Sequence, residues 1–165
     1  MGENIRKAKK EDLEKITEIY NQSIKKGTFT GDLKTYQTEE RLPWFNLHLN
    51  ERFPIFVYEN EGNVVGYAYL SEYRGGRGAF EDVAEISYYI DFEFHGNNIG
   101  SKLIQHSLEF AKESGFHSIV AILLKINKKS IGLLNKFGFE KWGELPEIAN
   151  LQGKFVNHLY YGKKL

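Results

Sequence analysis

The chain has 165 residues, enough for one domain with a sizeable core. Its 22 basic and 22 acidic side chains cancel, which argues against a nucleic-acid partner held mainly by phosphate neutralisation, though a local basic patch is compatible with it. Without cysteine there is no disulfide framework, thiolate nucleophile or thiolate metal site, and the 41% hydrophobic content is that of a globular chain.

No apolar run is long enough to span a bilayer and the N-terminus is charged, so a cytoplasmic protein without a membrane partner is expected. Taken in order, Ile5-Arg6-Lys7-Ala8 reads as a short strand. Leu13, Ile16, Ile19, Tyr20 and Ile24 then recur at helical spacing, predicting a helix from Glu11 to Lys26 that stops near Gly27. Thr28 to Asp32 form a loop. A second helix is predicted over Glu39 to Asn50, with Leu42, Phe45, Leu47 and Leu49 buried, before Pro54 resets the backbone. Ile55–Tyr58 and Val64–Leu70 are strands joined by the hairpin turn Glu61-Gly62-Asn63. The Gly-rich segment Arg74 to Gly78 leads into the stretch that organises the chain.

That stretch is a strand, Ala84 to Ile90, leaving through His95-Gly96-Asn97-Asn98-Ile99-Gly100 into an amphipathic helix. Ile99, Leu103, Ile104, Leu108 and Ala111 form its apolar face and Gly115 ends it. A loop entering a helix this way offers unpaired N–H groups and the positive end of the helix dipole, which suits a phosphate. Strand–Gly loop–helix units are common, and neither Gly-x-Gly-x-x-Gly nor a P-loop is present, so the context carries the reading. Ser118 to Ile126 is an almost continuous apolar run, the mark of a strand buried on both faces, and its position implies a right-handed parallel crossover from Ala84–Ile90. Asn127 caps a helix through Lys136, which Gly138 terminates, and Phe139–Trp142 with Lys154–Tyr161 complete an antiparallel end. The class is α/β, one unit over residues 1–165 with a mixed, mostly antiparallel central sheet flanked by helices. The histidines at 48, 95, 106, 117 and 158 show no ligand spacing, so no metal is expected.

This order of elements resembles the GNAT-type N-acetyltransferase superfamily over nearly the whole chain. Within it the chain is most similar to the phosphinothricin and methionine-sulfoximine acetyltransferase branch. The residues that carry the likeness are Ile5-Arg6-x-Ala8, Asp12, Ile19-Tyr20-Asn21, Thr28-Phe29, Thr38, Arg41 and Trp44-Phe45. They continue with Pro54, Val65-Gly66-Tyr67-Ala68, Arg77-x-Ala79-Phe80, Glu85, Tyr89, Gly96, Ile99-Gly100, Asn127, Ser130 and Phe137-Gly138-Phe139.

The resemblance implies acetyl-CoA as co-substrate. Its pyrophosphate would lie on His95, Gly96, Asn97, Asn98, Ile99, Gly100 and Ser101, and its pantetheine arm along Tyr89 and Ile90. Asn127 and Ser130 match the motif Asn-x-x-Ser that helps hold this arm; a helix cap and a small packing residue are their other reading. Lys128 and Lys129 are in reach of coenzyme phosphates or simply face solvent. The family's loop pattern, Gln/Arg-x-x-Gly-x-Gly/Ala, is broken at His95 and Asn98. Asn98 is a mild change if its φ is positive, whereas His95 is expected to loosen the loop, with coenzyme binding surviving in weakened form.

Strand alternation puts Glu85, Ser87 and Tyr89 on one face. The resemblance makes Glu85 the base, acting through water; a structural ion pair with Arg74 or Arg77 is the alternative. An oxyanion would find a backbone N–H near Tyr89 or Ile90. The family's usual Tyr or His donor to the leaving thiolate is replaced by Leu134, and the branch's Lys-His stretch by Leu151-Gln152. For the acceptor, Arg74 and Arg77 offer a carboxylate clamp, Phe80 stands in for a Tyr, and Thr28, Phe29 and Trp44 form a wall. The acceptor is therefore read as a small-molecule amine, an amino acid or its analogue. The arginines also fit a solvated hairpin. Rival readings are a catalytically weak acyl-CoA-binding regulatory module and a protein or peptide N-terminal acetyltransferase. The branch tends to form homodimers, which the 15% aromatic content permits.

Overall fold

The computed structural model describes residues 4–165. Its strands are β1 (Ile5–Lys7), β2 (Ile55–Asn60), β3 (Asn63–Glu72), β4 (Val83–Ile90), β5 (Ser118–Leu124), β6 (Glu140–Leu151) and β7 (Lys154–Lys164). The α-helices are α1 (Leu13–Lys26), α2 (Leu42–Leu47), α3 (Ile99–Glu113) and α4 (Lys128–Lys136). All strands join one seven-stranded sheet in the order β1-β2-β3-β4-β5-β7-β6. Every pairing is antiparallel except β4 with β5, the pair bridged by α3.

Alternation along the strands divides the core between two faces. Ile55, Val57 and Tyr67 pack with Ile16, Ile19 and Tyr20 of α1 and with Phe45 of α2. Phe56, Tyr58, Val65 and Ala68 pack instead with Ile99 and Leu103 of α3. The buried face of α1 matches the predicted periodicity, and Gly27, at φ +73°, closes it in the left-handed conformation. The β2–β3 turn has Glu61 and Gly62 both at positive φ, the geometry that suits the twist of a two-residue hairpin.

The predicted second helix is shorter than its sequence suggested. A 3-10 turn over Thr38–Arg41 leads into α2, which ends at Leu47. Asn50 explains the stop: its Nδ2 donates to Leu47 O at 2.6 Å, and its Oδ1 accepts from the N–H groups of Arg52 and Phe53. Leu47 and Leu49, expected in the core, are 75% and 55% exposed. At the other end of the sheet β6 runs far beyond the predicted Phe139–Trp142. It is an edge strand, broken in register after Lys141 and after Leu145, and an edge tolerates both Pro146 and bulges.

Two features of this fold shape the site. β4 pairs with β5 only through Val83–Glu85, against Ser118–Val120, and the two strands then part. Meanwhile α3 lies tight on the sheet at Gly66, where an added Cβ would stand 2.9 Å from Ile90 Cδ1 and 3.1 Å from Ile99 Cγ2. Gly66→Leu should therefore overpack this seam and lower unfolding free energy by roughly 1–3 kcal/mol, read from urea midpoints.

Candidate active site

Where β4 and β5 part, a cavity of about 400 Å³ opens. Its wall includes both Tyr88 and Tyr89, adjacent residues whose side chains point to opposite faces of the sheet. Only a gap in the sheet lets one cavity touch both. The ladder also fixes which backbone groups look into the gap. Asp91 N–H donates to Val65 O, continuing the β3 pairing, so the amides of Tyr89 and Ser87 turn to β3. Those of Ile86, Tyr88 and Ile90 turn to the gap. An oxyanion donor near Ile90 fits this pattern, and Tyr89 does not.

The loop leaving β4 is anchored at its root. Asp91 is buried, caps the short turn Phe92–Phe94 through Glu93 N–H, and pairs with Lys15 Nζ at 2.9 Å. Gln22 of α1 adds a bond from Phe92 N–H at 3.0 Å. The Lys15 cation holds the Asp91 carboxyl below its usual range despite burial, which acts the other way. Gly96 follows at φ +85°, and Asn98 at φ +59°, ψ +14°, the left-handed conformation that Asn tolerates. His95 does not loosen the loop as expected. Its Nε2 sits 3.0 Å from Ile90 O, and its ring packs edge-on against Phe29 and at a tilt on Phe92.

Among the described residues, no backbone N–H from Gly96 to Ser101 donates a hydrogen bond; the first that does is Lys102, to Asn98 O at 3.1 Å. Free amides at the head of a fifteen-residue helix form a site for an anion. Gly96, Asn98, Ile99, Gly100 and Ser101 border the cavity, as do Tyr89, Ile90 and His95. Asn97 points away, its Nδ2 donating to Phe94 O. Across the gap Asn127 and Ser130 also border it, with Lys129 rather than Lys128. Asn127 Oδ1 accepts from Ser130 N–H at 3.1 Å, so it caps α4 and keeps its amide nitrogen free for a ligand. The residues suit a diphosphate at the loop and a slender arm along the gap.

Glu85 lies further back on β4, half-buried, on the face shared with Ser87 and Tyr89. Among the described residues it has no ion pair or hydrogen bond; Arg74 and Arg77 are exposed and make no bridge to it. Burial alone pushes its pKa from 4.5 up to about 7. The same face carries a buried phenol cluster. Tyr89 stands edge-on to Tyr20 at 4.9 Å, and Tyr20 hydroxyl donates to Asp32 at 2.5 Å beside Thr30. Desolvation raises the pKa values of Tyr20, Tyr67 and Tyr89, keeping all three neutral.

The remaining predicted residues are scattered around this centre. Phe29 borders the cavity, whereas Thr28 lines a separate cleft with Leu33 and Gln152. Trp44 packs on Tyr69 and His48, and Arg74, Arg77 and Phe80 sit on the exposed β3–β4 connection, with Phe80 against Tyr73. Sequence reasoning passed over Ser23, Tyr88, Phe92, Phe94 and Leu133 in the wall. It also passed over Arg41 as a site residue: only 6% exposed, its guanidinium is stacked 4.3 Å from Tyr20 and 4.0 Å from Trp44. Alternation alone could have flagged Tyr88, by placing a polar tip on an otherwise apolar face. Among the described residues no group of acidic or histidine side chains could hold a metal ion, and no helix is long and apolar enough to cross a membrane.

Known proteins share this architecture. Residues 13–139 match the Acetyltransferase (GNAT) family. A Bacillus subtilis (strain 168) protein, provisionally named phosphinothricin acetyltransferase YwnH, is 36% identical over 98% of each chain. An L-methionine sulfoximine/L-methionine sulfone acetyltransferase of Pseudomonas paraeruginosa is 31% identical over 95% of this chain and 91% of its own. The crystal structure of a phosphinothricin acetyltransferase from Sinorhizobium meliloti in complex with acetyl-CoA superposes with a TM-score of 0.93 at 29% identity, covering 100% of this chain and 89% of the other. Strand order, parted strands and matching relatives agree: the chain belongs to the GNAT acetyltransferase family.

Proposed function

We propose that the protein moves the acetyl group of acetyl-CoA to the primary amine of a small amino acid or amino-acid analogue, with both substrates bound together. The observation that carries this is Glu85, a desolvated carboxylate without a partner among the described residues, just behind the cavity wall on the strand face it shares with Tyr89, which lines that wall. A carboxylate placed so is costly unless it serves a purpose. The named acceptors of the two relatives, phosphinothricin and methionine sulfoximine, are amino-acid analogues, which supports the acceptor class.

Acetyl-CoA supplies an acetyl group already activated as a thioester. The amides of Gly96 to Ser101 and the dipole of α3 hold its diphosphate, and the free amide nitrogen of Asn127 holds the arm. Glu85 takes the proton of the attacking amine through a water molecule. The Ile90 amide, facing the gap, donates to the oxygen on which charge develops. Arg74 and Arg77, exposed and free of ion pairs among the described residues, close on the acceptor carboxylate.

The base must be ionised to work, so kcat should rise with pH through an apparent pKa near 7. Glu85→Gln should abolish that limb and lower kcat by roughly 10²–10⁴ while leaving acetyl-CoA affinity intact; an unchanged pH profile removes Glu85 from the mechanism. Stability should respond in the opposite sense. Between 4.5 and about 7 the native state keeps a proton that the unfolded chain has released, so stability falls as pH rises through that window. Glu85→Gln should therefore recover up to about 3 kcal/mol at pH 8, seen in denaturant titrations at both ends of the range.

Acceptor class is tested by thiol release with amines that carry or lack an α-carboxylate. Free amino acids and analogues should turn over best, and Arg74→Ala or Arg77→Ala should raise their KM about tenfold or more, the loss of a charged hydrogen bond. Turnover confined to polyamines or to peptide N-termini sinks the amino-acid assignment.

A further inference from the structure

Tyr88 points to the face where α3 and α4 pack, opposite Glu85, and it lines the cavity together with Tyr89 because the sheet is parted there. Its hydroxyl is buried and has no hydrogen-bond partner among the described residues. Ser130 of α4 lies beside it without closing a bond that meets hydrogen-bond geometry. A buried hydroxyl left unspent costs about 1–3 kcal/mol, as a rule, unless a ligand completes it. Of the other donors on the wall, the Asn127 amide nitrogen is free at the α4 cap and the Ser130 hydroxyl stands beside Tyr88. His95 is turned to the Ile90 carbonyl, and Asn98 and Ser101 stand at the anion end of the cavity.

The position on helix α4 where a donor was expected holds none. Leu134, at the position where a tyrosine or histidine was expected, is 1% exposed and packs in the core with Phe139 and Leu159, while Leu133 faces the cavity. We propose that the Tyr88 hydroxyl donates a hydrogen bond to the coenzyme sulfur and so stabilises the departing thiolate, a role that rests on the acetyl-transfer reading above. In that step the amine nitrogen bonds to the carbonyl carbon, the carbon–sulfur bond breaks, and its electron pair stays on sulfur. The amine proton goes to Glu85 through water, and Tyr88 keeps its own. Tyr88 is suited to donating without ionising: burial pushes its pKa up to about 12, against a thiol near 8.5.

The test compares CoA with desulfo-CoA on the full-length wild type and on Tyr88→Phe. Lys129, His95 and Tyr89, the other charged or titratable side chains on the cavity wall, remain in place in both. Followed by thiolate absorbance, the thiol of bound CoA should titrate about one pH unit higher in Tyr88→Phe than in the wild type. Above that pKa, calorimetry should show CoA affinity falling about tenfold in the variant, with desulfo-CoA affinity within twofold of wild type. With acetyl-CoA, kcat should fall about tenfold at unchanged KM. Identical thiol titrations overturn the proposal, as does an equal loss of affinity for both ligands, which would make the hydroxyl a support for the arm and not for the sulfur. Failure of CoA to bind the wild type overturns it together with the transferase reading, whereas tight CoA binding with an indifferent thiol removes Tyr88 alone.

Discussion

The whole site depends on β5 having two neighbours that it cannot pair with equally. Along its full length it pairs with β7, Ser118 against Lys164 through to Leu124 against His158. With β4 it pairs only as far as Glu85 and Val120. From Ile86 onwards β4 holds β3 on one side and nothing on the other. Backbone groups abandoned inside a sheet are costly, since each amide and carbonyl wants a partner. They are tolerated here because the gap is a cavity that a ligand backbone can enter, replacing the missing strand. The tight seam of α3 on Gly66 and the close approach of Gly100 to Leu133 hold the strand ends in place while they are unpaired.

Charge follows from the same opening. The chain is neutral overall, so no general field draws an anion to it. The local arrangement does the selecting. At the mouth, main-chain amides concentrate partial positive charge, with Lys129 on the wall and Lys136 Nζ 3.4 Å from Ser101 Oγ. On the α1 face, neutral phenols surround Glu85's neighbourhood and keep water scarce, and a scarce solvent raises a carboxylate's pKa. Arg41 is held between the faces of Tyr20 and Trp44 and bridges to no carboxylate among the described residues. Desolvation therefore dominates at Glu85, which is the condition for a base that operates near neutral pH.

How much of this was legible beforehand depended on how local the cause was. Helix α1 and strand β4 announce themselves through spacing, because 3.6-residue and 2-residue periods are properties of neighbouring residues. The loop into α3 was legible for the same reason, and Asn98 takes the left-handed conformation its residue type allowed. The end of α2 was not, since Asn50 stops it through bonds to Leu47, Arg52 and Phe53 that no periodicity encodes. The gap itself was invisible. It arises because β4 leaves one edge of β5 after Glu85 while β7 stays paired along the other, and β7 lies far along the chain from β4 in an order that topology, not pattern, decides. Tyr88 left only a local trace, a polar tip on an apolar face: alternation sets it opposite Glu85, and a parted sheet is what lets it border the cavity with Tyr89.

The departures from the family's loop also make sense together. A glutamine or arginine at the position of His95 has length and flexibility, whereas an imidazole has reach enough only for something close. His95 finds it in the Ile90 carbonyl, which the ladder turns towards the gap, and Phe29 and Phe92 fix the ring's orientation. That bond ties the loop back to the end of the strand it has just left. Asn98 in place of glycine narrows the backbone freedom of the free loop while keeping the left-handed geometry that starts α3. Both changes take entropy from the unbound state and leave the donors from Gly96 to Ser101 untouched. The two substitutions that look like damage in the sequence therefore leave the loop tied to its strand and its amides free.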